Sequence, residues 1–126
     1  MSLDRSLEGT MAVRLFTKSA RELLQSIKTG IDNGEIETWA YDKEGDFTHT
    51  THDGQWQNRA WLRPVIQSDR LRLNLIFSSG EEQQKEVYGV YHGRFIEMAV
   101  IHFPQFFERG EATSKMTKED LELNSK

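Results

Sequence analysis

The sequence predicts an α+β domain: a helix, an antiparallel curved sheet of about five strands, and a second helix, with both helices on one face of the sheet. Three observations carry this reading. Ala20, Leu23, Leu24, Ile27 and Ile31 recur at helical spacing, and Ile96, Ala99, Val100 and Phe103 do so again near the end. Between them, Leu71, Leu73, Leu75 and Phe77 alternate with Arg70, Arg72, Asn74 and Ile76 at strand spacing.

The first helix is expected at about residues 19–33. Ser19 followed by Glu22 has the spacing of a capping box, and Gly34 supplies the left-handed position on which helices commonly end. Strand signals follow. Residues 35–41 are rich in β-branched and aromatic side chains, residues 42–45 have hairpin-turn composition, and residues 46–51 return antiparallel. A second turn at 52–55 precedes a third strand that starts at Trp56 or Asn58 and ends at Ile66. Ser68-Asp69 then separates it from the fourth strand, 70–78.

A two-residue loop at Ser68-Asp69 sets Ile66 opposite Leu71, Leu62 opposite Leu75 and Ala60 opposite Phe77, three apolar pairs in one register. Arg59, Trp61, Arg63 and Val65 then share the other, largely wet face with Arg72, Asn74 and Ile76. Pro64 cannot donate to a ladder and belongs at an edge or bulge. Residues 87–91 alternate and read as a fifth strand, with Gly93 as the break before a helix that Pro104 ends. One long helix from Glu86 to Phe103 is the alternative. Gly89 and Gly93 would each cost it about 1 kcal/mol relative to alanine, so strand then helix is preferred.

Residues 1–10 lack a sustained period and precede a second methionine, Met11. They read as an appended leader or disordered N-terminus. Residues 11–107 make a single domain. Residues 108–126, with nine charges in nineteen positions, read as a disordered tail.

Composition excludes several functions. A net charge of −4 supplies none of the basic excess behind nonspecific nucleic-acid binding, and no RNP-type sequence is present, so a nucleic-acid partner is not expected. The absence of cysteine removes disulfides, thiol nucleophiles and thiolate metal sites. No apolar run is long enough to span a bilayer, which makes a cytoplasmic protein the default. Neither G-x-S-x-G, G-x-G-x-x-G nor a P-loop occurs, so no catalytic residues and no cofactor are expected.

Four constellations remain. His49, His52 and Asp53 form H-x-x-H-D, but that spacing on a strand or turn rarely converges both rings, so no metal is expected there. Asp42, Glu44, Asp46 and Asp53 cluster around two turns, as turn chemistry alone explains. His92-Gly93-Arg94 sits at the expected strand-to-helix junction and suits a carboxylate or phosphate. With Trp39, His49 and Tyr91 it makes the candidate ligand set. Trp61 flanked by Arg59 and Arg63, with Arg72 across and Tyr88 on the fifth strand, is the candidate interface.

At Thr38-Trp39, Tyr41-Asp42, residues 46–49, Gln55-Trp56, residues 60–64 and residues 88–98, the chain resembles a group of small bacterial proteins of unknown function. The likeness covers about residues 24–103 and implies a small bacterial cytoplasmic α+β domain. The leading expectation is a noncatalytic binding or protein-interaction domain that self-associates, as a homodimer, through strand edges or the outer sheet face. The alternative is a small-ligand or hydrolase-type pocket between sheet and second helix, built from Trp39, His49, Tyr91, His92 and Arg94.

Overall fold

A computed structural model of the chain describes residues 12–114 and Lys126. Its elements are β1 (Ala12–Phe16), α1 (Ala20–Asp32), β2 (Trp39–Tyr41), β3 (Phe47–His49), β4 (Ala60–Ile66), β5 (Arg70–Phe77), α2 (Gln84–His102), one 3₁₀ turn (Pro104–Phe106) and β6 (Arg109–Ala112). The α+β class and the antiparallel sheet are as expected. The strand order is β2-β3-β4-β5-β1-β6, so the sheet has six strands, and a strand precedes the first helix.

The β4–β5 hairpin has the register that the apolar pairs demand: Ala60 faces Phe77, Leu62 faces Leu75 and Ile66 faces Leu71. Gln67 N–H donates to the Arg70 carbonyl at 3.0 Å, which makes that pair hydrogen-bonded. Pairs alternate along an antiparallel ladder, so Pro64 opposite Leu73 falls in a non-hydrogen-bonded pair and needs no donor toward β5. On its other side β4 meets β3 through Phe47 and Leu62, and Pro64 lies past that contact. The proline therefore sits at a local edge.

Leu71, Leu73, Leu75 and Phe77 point inward with Val13 and Leu15 of β1. They form one core with Leu23 and Ile27 of α1 and with Val87, Tyr91, Phe95 and Ala99 of α2. The capping box at the start of α1 does not form. Ser19 makes no side-chain cap, and its own N–H is held instead by the Thr17 hydroxyl at 2.9 Å. The expected stop is present: Gly34 has φ +85°, and Ile36 N–H returns to the Gly30 carbonyl at 3.0 Å.

Residues 87–91 are helix, not a fifth strand, because α2 runs unbroken through both glycines. Val87, Tyr88, Tyr91, His92, Phe95, Met98 and Ala99 fall on its buried side, and burying one large apolar side chain gives about 1.5–3 kcal/mol. A few such residues outweigh the cost of two glycines, about 2 kcal/mol together. The stripe they set turns Val100 to solvent, against the expectation that it joins the core face. Arg109–Ala112, expected in the free tail, pairs instead with β1 as an edge strand. The leader at 1–10 and the tail at 115–125 lie outside the described residues. Among the described residues no helix is long and apolar enough to cross a membrane.

The face expected to be largely wet is also partly covered. Arg14 of β1 and Arg72 of β5 stand opposite each other on it, and both are buried, as is Ile76. Arg14 Nη1 reaches Glu111 of β6 at 3.4 Å.

Gly89 and Gly93 lie on the solvent side of α2, where an added Cβ meets nothing within 4 Å. Gly89→Ala and Gly93→Ala should each raise stability by about 0.5–1 kcal/mol, read as a higher urea midpoint at unchanged slope. A lower midpoint in either variant would contradict an unbroken helix.

Candidate functional site

Two clusters gather several of the polar side chains that sequence reading singled out, one on the inner side of the sheet and one on the outer. The inner cluster lies where β2 and β3 meet α2. His49 pairs with Trp39 across the β2–β3 ladder, their ring centroids 4.5 Å apart, and Tyr91 stands edge-on to both. The Tyr91 hydroxyl meets Thr48 Oγ1 at 3.0 Å and donates to the Trp56 carbonyl. His49 Nδ1 donates to the Thr38 carbonyl at 2.7 Å, which leaves Nε2 to accept from Arg94 Nη1 at 3.2 Å. Burial, and secondarily the Arg94 charge, hold the His49 imidazole below its ordinary pKa, consistent with a neutral ring accepting this hydrogen bond.

Four of the five ligand candidates, Trp39, His49, Tyr91 and Arg94, thus converge. The first three are fully packed, and Arg94 alone presents its side chain to solvent. His92 turns elsewhere. It stacks on Tyr88, with centroids 4.1 Å apart, and its Nδ1 donates to the Tyr88 carbonyl at 2.7 Å, while its Nε2 is buried with no hydrogen-bond partner. The H-x-x-H-D residues do not converge either. His49 is buried in β3, whereas His52 is exposed and Asp53 closes a turn onto the Thr51 hydroxyl and Gln55 N–H.

The outer cluster grows from the turn between β2 and β3. Gly45, at φ +86°, lets the chain reverse so that Asp42 Oδ1 accepts both Glu44 N–H and Asp46 N–H at 3.0 Å. This folds three carboxylates, Asp42, Glu44 and Asp46, to within 4.8 Å of one another. Arg63 of β4 binds Asp46 through two parallel hydrogen bonds, at 3.0 and 2.7 Å. Lys126 Nζ enters from the other side, 2.6 Å from Asp42, 3.1 Å from Glu44 and 2.8 Å from Asp46. It also lies 4.9 Å from the Trp61 ring centroid. Burial pushes the Asp46 carboxyl up, but the Arg63 and Lys126 hydrogen bonds outweigh it and leave the group below the usual carboxylate range. Those carboxylates in turn raise the Lys126 ammonium above its ordinary value against the opposing effect of burial.

The interface candidates are therefore engaged within the chain. Arg59 forks onto Glu81 at 2.9 and 2.8 Å and covers the Trp56 ring. Arg63 holds Asp46, Trp61 lies under Lys126, and Arg72 is buried. Tyr88 lies on α2, its hydroxyl bonded to Thr113. Sequence reading named Asp42, Glu44 and Asp46 as turn residues and missed Lys126, which comes from the segment read as a free tail. The open grooves along α1 and beside the 3₁₀ turn, each about 380 Å³, include none of these residues. No protein-family model, curated protein or solved structure matches the chain.

The buried His92 has a consequence for acid stability. Burial lowers its pKa from 6.5 to about 4, so above pH 6.5 it is neutral whether the chain is folded or unfolded. As pH falls from 6.5 toward 4 the unfolded chain takes up a proton that the folded chain refuses, and stability is lost across that window. The loss is on the order of 3 kcal/mol. His92→Leu should remove most of it, seen in urea unfolding as a smaller gap between midpoints at neutral and acidic pH. An unchanged gap would mean that His92 does not set the acid limit.

Proposed function

We propose that the chain is a small noncatalytic cytoplasmic binding domain whose working surface is the outer face of the sheet, and that copies of it associate through that face. The observation that supports this is the seating of Lys126. A residue more than forty positions from any of its partners is held there by its backbone and by its side chain at once. A turn whose carboxylates are oriented by their own backbone, beside a half-buried Trp61, is a surface suited to gripping a chain segment. Of the neighbouring arginines, Arg63 fixes that turn and Arg59 is held by Glu81.

A second reading, an anion site at the inner cluster, has one observation in its favour. The exposed guanidinium of Arg94 rests on a neutral imidazole, not on a carboxylate, among the described residues. A carboxylate or phosphate would complete it. In this reading Trp39, His49 and Tyr91 are the packed support, and His92 has no part.

Sedimentation velocity separates the two. A concentration-dependent dimer in the parent chain, weakened severalfold in Trp61→Ala, is the expected result. A monomer at every concentration, in parent and variant alike, would overturn self-association. A thermal stabilisation by phosphate or a small carboxylate that Arg94→Ala abolishes would favour the inner site instead.

A further inference from the structure

The outer seat is occupied by part of the chain itself, and its shape says what it accepts. An ammonium has three donors, and three carboxylate oxygens meet Nζ at 2.6, 2.8 and 3.1 Å while the Trp61 ring lies beside it. The backbone of Lys126 is read as well. Its N–H donates to the Phe77 carbonyl at 2.7 Å and its carbonyl accepts from Ser79 N–H at 2.7 Å. Ser78 N–H points the opposite way, to the carbonyl of Arg59, the residue before β4. Lys126 therefore hydrogen-bonds opposite Ser78 where β5 runs past the end of β1, as one residue of an added strand does, a pairing that an extended peptide can make.

The seat does not depend on Lys126 for its shape. Asp42 is oriented by two backbone N–H groups and Asp46 by the Arg63 fork, so both remain aimed when the ammonium leaves. A divalent ion is a poorer occupant than an ammonium. Arg63 Nη2 stands 2.7 Å from Asp46 and 3.8 Å from Glu44 and would lie beside the metal charge.

We infer that Asp42, Glu44, Asp46 and Trp61 form a recognition site for a lysine side chain borne on an extended peptide, and that Lys126 is an internal competitor which a partner's lysine must displace. The inference rests on the reading of the outer face as an interaction surface and names its ligand and its regulation. A ligand tethered to the same chain acts at an effective concentration on the order of 1 mM. The affinity for an incoming lysine therefore falls in proportion to the fraction of chains whose seat is open.

The test uses the full chain and the blocked amino acid Nα-acetyl-lysine-N-methylamide, with the norleucine analogue as the uncharged control, followed by the Trp61 indole N–H resonance. Lys126→Met should bind the lysine probe about tenfold tighter than the parent or better, and the norleucine probe should not bind. Adding Glu44→Gln, at an exposed position, to Lys126→Met should weaken the lysine probe severalfold. Equal affinity in parent and Lys126→Met, or equal binding of both probes, would overturn the inference. So would a response of the same resonance to Ca²⁺ or Mg²⁺ but not to the lysine probe. Should Lys126→Met fail to fold, the parent titrated to high probe concentration gives the same decision, because a competitor is displaced at a shifted midpoint and a purely structural lysine is not. If no lysine binding appears while Trp61→Ala still weakens the dimer, the lysine seat is lost and the interaction-domain reading stands. Lysine binding without any dimer gives the reverse.

Discussion

Side-chain parity along β5 governs the molecule. One set of alternating positions, Leu71, Leu73, Leu75 and Phe77, enters the core beneath both helices, and the intervening set, Arg72, Asn74 and Ile76, faces the other way. A slip of one residue against β4 or β1 would exchange the two sets, burying an arginine among leucines, so the register of the sheet's centre has no near competitor. The positions of the other strands follow. β1 pairs Val13 with Leu73 and Leu15 with Leu71 in the core, and this places Arg14 opposite Arg72 outside. On β4 the same parity puts Leu62 inside, with Trp61 and Arg63 outside. Both candidate surfaces, inner and outer, are thus consequences of one alternation.

What the sequence made legible is what local pattern or pairing can encode. The β4–β5 register was readable because three apolar pairs agree only in one alignment, and α1 because its stripe and Gly34 give the same answer. α2 was misjudged at its first half because alternation at 87–91 also satisfies a helical stripe, and two glycines tipped the choice toward strand. Core burial of Tyr88, Tyr91 and Phe95 overrides that preference. β1 and β6 carried almost no local signal. Five residues are too few to establish a period, and Arg-Gly-Glu-Ala has no strand propensity of its own, so each is a strand because of the neighbour it pairs with.

The candidate sites divide in the same way. Trp39 and His49 face each other across a short hairpin, a relation that sequence spacing approximates, and Arg94 reaches them from α2 one helical turn before Glu97. His92 follows Tyr91 directly, and adjacent residues on a helix point about 100° apart, so the two could not share a pocket once α2 was helical at that point. The outer seat joins a turn to a lysine at the far end of the sequence. No local pattern contains that juxtaposition, and a carboxylate cluster in a turn has the same composition with or without something to hold.

The place of β1 in the sheet bears on how the chain is made. It is the first of the described strands to leave a ribosome, yet its partners are β5 on one side and β6, the last described strand, on the other. Until β5 has been synthesised both hydrogen-bonding edges of Ala12–Phe16 are bare, and until β6 arrives one of them remains so. The β4–β5 hairpin can zip locally, but closure of β1 waits on contacts spanning most of the chain, the high-contact-order step that slows folding. Nascent chains stalled between those two events would expose one unpaired edge of β1, the kind of surface through which incomplete chains aggregate.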